Sequence, residues 1–275
     1  MKEPPDIEPD PAGGPYPLAA RLGIRCTGMA QEQADEGESM MSDTSTKLVA
    51  AALADHARFK HVAAELGRRA PDADAAGALV DAYRAGEAPP WLVAHLLGCI
   101  GHEVGYALVR EILLSAPGML AESYAGPALA KILGEHALSD LCMLLRDAPK
   151  QTSREGAAYG LARFRSPSAE AALLEAASAG RIRWHVAANV LADIPIAPSR
   201  LCELFRSGGI ERLRLATEVV SVALRDADGG GSTWIYDVAA AVGPLVREAL
   251  ANPALSMAPR KRTQLEAWVS NARRA

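Results

Sequence analysis

One four-residue pattern recurs four times between residues 91 and 205, and it restricts the fold more than any other feature. It reads Leu-Gly-Cys-Ile at 97–100, Leu-Ala-Lys-Ile at 129–132, Leu-Ala-Arg-Phe at 161–164 and Leu-Ala-Asp-Ile at 191–194. Its leucines stand 32, 32 and 30 residues apart. Self-similarity at such a period marks stacked supersecondary units. The flanks repeat as well. Four residues before each motif leucine stand Val93, Ala125, Ala157 and Ala187, which are small or branched and suit close approach to a neighbouring helix. Nine, twelve and thirteen residues after the motif Ile or Phe come Val109, Ile112 and Leu113, then Leu141, Leu144 and Leu145, then Leu173, Ala176 and Ala177. The fourth unit continues the series with Leu201, Leu204 and Phe205 if its turn, which holds Pro195 and Pro198, is two residues shorter. Each unit therefore reads as a helix of about four turns, a tight turn and a second helix.

Composition agrees. The chain is rich in Ala, Leu, Glu and Arg, which lead the helix-propensity ranking, and has no run of alternating β-branched residues to make strands. The expected fold class is all-α, a right-handed α-solenoid of helical hairpins. Residues 46–87 read as divergent capping helices. One helix is expected from near Thr46 to about Arg69, stopped by Pro71. A second is capped by Asp72 and ended by Gly86. Pro89 and Pro90 then open the repeats, which occupy 88–225. A fifth, decayed unit runs from Ile210 through Leu224. A loop follows at 226–232, and two last helices, about 233–250 and 256–273, close the stack within a terminal unit at 232–275.

The charge is unevenly placed. Overall, 29 basic and 33 acidic side chains give a net charge of -4. Residues 1–45 hold three of the basic and nine of the acidic groups, so the remainder carries 26 against 24, a net of +2. The first 43 residues are rich in Pro, Gly and acid and are expected to be a disordered tail, whether a regulatory segment or an extension ahead of a start at Met41. The body is not basic enough to announce nucleic acid. No apolar run matches a bilayer span and no secretory signal opens the chain. Four cysteines without paired spacing argue against a disulfide framework, and Cys99, Cys142 and Cys202 read as reduced core residues. A cytoplasmic protein is expected.

The unit that begins at Arg154 (Arg-Glu-Gly-Ala-Ala-Tyr-Gly-Leu-Ala-Arg-Phe), with Ala-Glu-Ala-Ala-Leu-Leu-Glu-Ala-Ala from Ala169, resembles a short HEAT-type repeat. It is similar to the variant first recognised in phycobilisome lyases, over residues 88–225. That resemblance implies a helical solenoid and no particular activity, since such repeats serve scaffolds, lyases, glycosylases and hydroxylases. Deoxyhypusine hydroxylases of this type bind two irons through repeated His-Glu dipeptides. Here there is only His102-Glu103 and the reversed Glu135-His136, too few ligands for such a site. His56 and His61, five apart, pair poorly on one helix face. His95 and His185 read as isolated and partly buried. The acidic loop at 226–237 matches a calcium loop only in part and reads as a linker. No cofactor and no metal are expected.

Arginine remains. Between 151 and 214 there are nine Arg, no Lys and six acids. Arg154, Arg163, Arg165, Arg181, Arg183, Arg206, Arg212 and Arg214 are the candidate partner-binding residues, with Arg200 in the same stretch. Arginine is the preferred donor to carboxylates. Trp184 and Tyr159 lie among them, with core packing expected for each. The reading is a non-catalytic protein-binding scaffold whose partner presents an acidic surface or is the chain's own N-terminal tail. The alternatives are an accessory of the phycobilisome-lyase kind and a DNA-binding HEAT protein. The scarcity of Lys and the body charge argue against the latter.

Overall fold

The computed structural model describes residues 44–115, 119–207, 209–231 and 233–271. The expected disordered tail at 1–43 lies outside the described residues. Among those residues the chain is all-α, with helices and turns and no strand.

Three helices come first: α1 (Ser45–Ala54), α2 (Phe59–Leu66) and α3 (Ala73–Arg84). The single helix expected to run to Arg69 is broken. Asp55 is extended (φ -139°, ψ 99°), and a 3₁₀ turn at His56–Arg58 leads into α2. No proline or glycine marks this break. Tertiary packing decides it: Phe59 meets the rings of Trp91 and His95 at 5.2 and 5.8 Å. At α3 the expectation holds. The Asp72 side chain accepts hydrogen bonds from the Asp74 and Ala75 amides, and Gly86 takes the left-handed φ of 76° that ends the segment.

Five helices then play the part of first helix in a hairpin: α4 (Pro90–Ile100), α6 (Met119–Leu133), α8 (Gln151–Leu161), α10 (Trp184–Ala192) and α12 (Ile210–Asp228). Four second helices alternate with them: α5 (Tyr106–Ser115), α7 (Ala137–Asp147), α9 (Pro167–Ser178) and α11 (Pro198–Arg206). α4 and α8 have 11 residues and α10 has nine, nearer three turns than four, because 3₁₀ turns or tight loops trim their ends. The chain closes with α13 (Trp234–Asp237), α14 (Ala239–Ala251) and α15 (Pro259–Asn271). The loop expected at 226–232 is shorter, since α12 continues to Asp228, and the penultimate helix is split at Val238.

Packing follows chain order. Each first helix rests on the first helix of the next hairpin, α4 on α6, α6 on α8, α8 on α10 and α10 on α12, with second helices alongside. The repeated positions make the core. Leu97, Leu129, Leu161 and Leu191 are buried, as are Val93, Ala125, Ala157 and Ala187. Val109, Ile112, Leu113, Leu141, Leu145, Leu173 and Leu201 are buried opposite them. Burying a Leu or Ile side chain contributes about 1.5–3 kcal/mol.

The first helices approach closely through glycine. A Cβ built on Gly126 would lie 1.7 Å from the Gly156 carbonyl oxygen, and one on Gly160 would lie 2.6 Å from the Gly126 carbonyl oxygen. Between α4 and α6, a Cβ on Gly98 would lie 2.7 Å from that of Ala128. Gly126→Ala is expected to cost about 3 kcal/mol or more, because backbone rather than a flexible side chain must yield. Urea unfolding followed by far-UV circular dichroism measures this.

Candidate functional site

The repeat register that defines the core also defines a face. Leu224 in α12 is the fifth equivalent of the motif leucine, 33 residues after Leu191. Six residues before these leucines come Trp91, Ser123, Glu155, His185 and Glu218. Two before come His95, Pro127, Tyr159, Asn189 and Val222. Two after come Cys99, Lys131, Arg163, Asp193 and Asp226. The core rows repeat in kind, and these three rows do not.

The rows are physically continuous. At one end Phe59, Trp91, Tyr124 and His95 pack ring to ring, with Trp91–Tyr124 at 6.1 Å and His95–Tyr124 at 4.8 Å. Next, Lys131 Nζ lies 4.0 Å from Cys99 Sγ. Burial pushes the Cys99 thiol up in pKa, against the pull of Lys131 and Arg163. Further along, Asp193 is exposed as a whole residue, yet the protein around its carboxyl, and then Asp226, push its pKa up to about 6 against the pull of Arg165 and Arg163. Burial likewise lowers the His185 pKa, with Arg183 acting in the same direction. Lys261, from α15, bonds Glu218 at 2.6 Å and stands 5.7 Å from the Trp184 ring. Trp184 is 40% exposed, so the expected core packing does not apply to it. Tyr159 is half-buried.

The eight candidate arginines divide into two groups. Arg154 spans carbonyls inside the fold, donating to Arg181 O at 2.8 Å and Ala148 O at 2.7 Å. Arg183 grips the buried Glu155 through its backbone N–H at 3.0 Å and Nε at 2.8 Å. Arg181 bonds Glu175, and Arg214 bonds Glu211. Arg163, Arg165, Arg206 and Arg212 are exposed and form no salt bridge within the described residues. Arg163 and Arg165 join Lys131 at the C-terminal ends of α6 and α8, while Arg206 and Arg212 flank the turn between α11 and α12. Arg212 also lines an open groove of about 350 Å³ between α9 and α11 with Arg200. Glu203 neutralises Arg200 there at 2.7 Å.

Arg165 carries a second peculiarity. Its φ of 47° is left-handed, at a turn where the two preceding hairpins place Gly101 (φ 71°) and Gly134 (φ 54°). A side chain there costs about 1–2 kcal/mol, and strain of this kind gathers at functional positions.

The candidate histidines fall differently from their expectation. His95 and His185 are partly buried, as expected, but neither is isolated. His102 and Glu103 sit in the turn before α5, where His102 Nδ1 accepts from the Val104 amide at 3.3 Å. Among the described residues no group of three His, Cys, Asp or Glu converges as metal ligands, and no helix is long and apolar enough to cross a membrane. Cys99, Cys142 and Cys202 carry free thiols; Cys202 is buried and the other two are half-buried. Sequence reasoning missed Lys131, which lies outside the arginine-rich stretch, and also Trp91, Tyr124, Glu155, Asn189, Asp193 and Glu218 as members of one face. Reading the non-apolar positions of the repeat register would have found most of them. No family model, no curated protein and no solved structure matches the chain.

Burial, then Lys131, lowers the His95 pKa from 6.5 to about 4. Between those values the unfolded chain takes up a proton that the folded chain refuses, so this group makes stability fall with acid. His95→Gln is expected to remove about 2 kcal/mol of the fall between pH 6.5 and pH 4, measured by urea unfolding at several pH values. Asn189 is buried beside Tyr159, whose raised pKa it eases slightly, yet neither Nδ2 nor Oδ1 reaches hydrogen-bonding geometry with any of the described residues. Asn189→Leu, of similar size, is expected to raise the unfolding free energy by about 1 kcal/mol in the same assay.

Proposed function

We infer that this chain is a right-handed α-solenoid of short HEAT-like repeats serving as a non-catalytic, cytoplasmic protein-binding scaffold. The helix packing in chain order and the buried repeat positions support the solenoid. The observation that carries the function is the contrast between rows. Core positions recur as Leu, Val and Ala, while the adjoining face positions change in kind along the series and include Trp, His, Lys, Arg, Tyr and Asp. Exposed arginines and aromatics are the side chains that anchor protein interfaces. The partner meets Lys131, Arg163 and Arg165 with acidic groups, because these cations are exposed and free of salt bridges.

Capture from native lysate tests the reading, using the full chain beside Lys131→Glu/Arg163→Glu/Arg165→Glu and a control, Arg206→Glu/Arg212→Glu. One protein held by the wild type and the control, and reduced at least about tenfold on the triple variant, is the expected result; that loss corresponds to about 1.4 kcal/mol. Equal retention by all three would remove this face from the interface. Arg154 and Arg183 are unsuitable probes, since their reversal breaks internal hydrogen bonds.

A further inference from the structure

The described chain begins on the same edge as the exposed cations. Thr44 caps α1. α1 packs on α3, and α3 packs on the Glu103–Gly105 turn that His102 caps; at the N-cap of α3 the Asp72 carboxylate is held below its ordinary range first by the Ala75 amide, with Ser45 and His102 pulling in the same direction. His102 stands two residues beyond the end of α4. The chain therefore enters α1 beside the C-terminal end of α4. Lys131 occupies that end of α6, with Arg163 and Arg165 just past the end of α8. The contact of Lys131 with Cys99, and the pull of Arg163 on the same thiol, place these ends together. Packed helices lie about 8–10 Å apart, so the cations stand about 10–20 Å from the end of α4.

The sequence before that point has the opposite charge. Between residues 26 and 46 there are five acids, Glu32, Asp35, Glu36, Glu38 and Asp43, and no Lys or Arg. Extended chain covers about 3.3 Å per residue. Glu38, six residues before Thr44, reaches about 20 Å, and Glu32 about 40 Å. Reach and charge both match.

We propose that the acidic segment 32–38 docks in cis on Lys131, Arg163 and Arg165 and competes there with an external acidic partner. The competition rests on the scaffold reading above; the docking does not. A short tether holds the segment at an effective concentration on the order of millimolar, so a weak, solvent-exposed charge contact suffices to occupy the site. An outside partner must displace the segment, which sets a threshold on the partner's own acidity.

Zero-length carbodiimide coupling on the full chain tests the docking, because it joins a carboxylate to an amine only where the two already touch. Lys261 and Glu218, 2.6 Å apart, supply the internal control. An equal mixture of light and ¹⁵N-labelled chains separates links within one molecule from links between two. The expected product joins Lys131 to Glu32, Asp35, Glu36 or Glu38 within one chain. Its yield falls at least about fivefold in Arg163→Glu/Arg165→Glu, and likewise between about 50 and 500 mM salt, while the control link persists. A control link without any Lys131 link to the segment would overturn the proposal. So would a link formed only between light and heavy chains, or one indifferent to both arginine reversals. Loss of the docking with partner capture still sensitive to the triple variant leaves the scaffold intact. Docking without any partner capture removes the scaffold reading and leaves the docking.

Discussion

The separation between neighbouring first helices governs the rest of this structure. α6 and α8 touch backbone to backbone at Gly126, Gly156 and Gly160, and a Cβ at any of the three would collide. Glycine inside a helix costs about 1 kcal/mol relative to alanine. Three such residues in two adjacent helices are retained because the approach gives more contact than the helices lose in propensity. Close, parallel stacking also brings equivalent positions of successive hairpins within reach of one another. Lys131 therefore meets Cys99, its counterpart one hairpin earlier. Without that spacing the rows of the face would be separate residues on separate helices.

Beyond α8 the means of attachment changes. Among the glycines whose Cβ would collide, none lies in α10 or α12. Arginine spans the junction instead. Arg154 ties the start of α8 to the carbonyls of Ala148 and Arg181, and Arg183, at the N-cap of α10, grips Glu155 on α8. Glu155 is buried, and removing one member of a buried ion pair commonly costs about 3–5 kcal/mol. Arg154 accepts no substitute easily either, because its planar fork meets several carbonyls at once. The abundance of arginine between 151 and 214 is thus partly a structural device.

This explains what was legible in the sequence. The motif leucines, the small residues four before them and the apolar triplets of the second helices all give the core, since hydrophobic periodicity records burial directly. The break at Asp55 left no such trace. It follows from where Phe59 must go to meet Trp91 and His95, a contact about 30 residues distant in the chain. The arginines show the same limit from another side. Charge recorded in a sequence does not say whether it is spent internally, and only the packed hairpins separate Arg154 and Arg183 from Arg163 and Arg165. Trp184 illustrates it again: a large apolar ring reads as core, yet it stands in solvent beside Lys261.

The charges along the face have an order that the small net charge conceals. Two residues after the motif leucines the row runs thiol, cation, cation, anion, anion, through Cys99, Lys131, Arg163, Asp193 and Asp226. Arg165 reinforces the cationic middle. Asp193 and Asp226 repel one another strongly enough to contribute to the raised pKa of Asp193. The field therefore changes sign between one hairpin and the next. The proposed docking of an acidic segment would be favoured at Lys131 and Arg165 and opposed at Asp226, which gives it a preferred register along the row. Like-charge juxtaposition against the wrong register adds to attraction at the right one in setting specificity. A body with a net charge near zero can in this way present a patterned field, because what a neighbouring charge meets depends on the local order of charges and hardly at all on their sum.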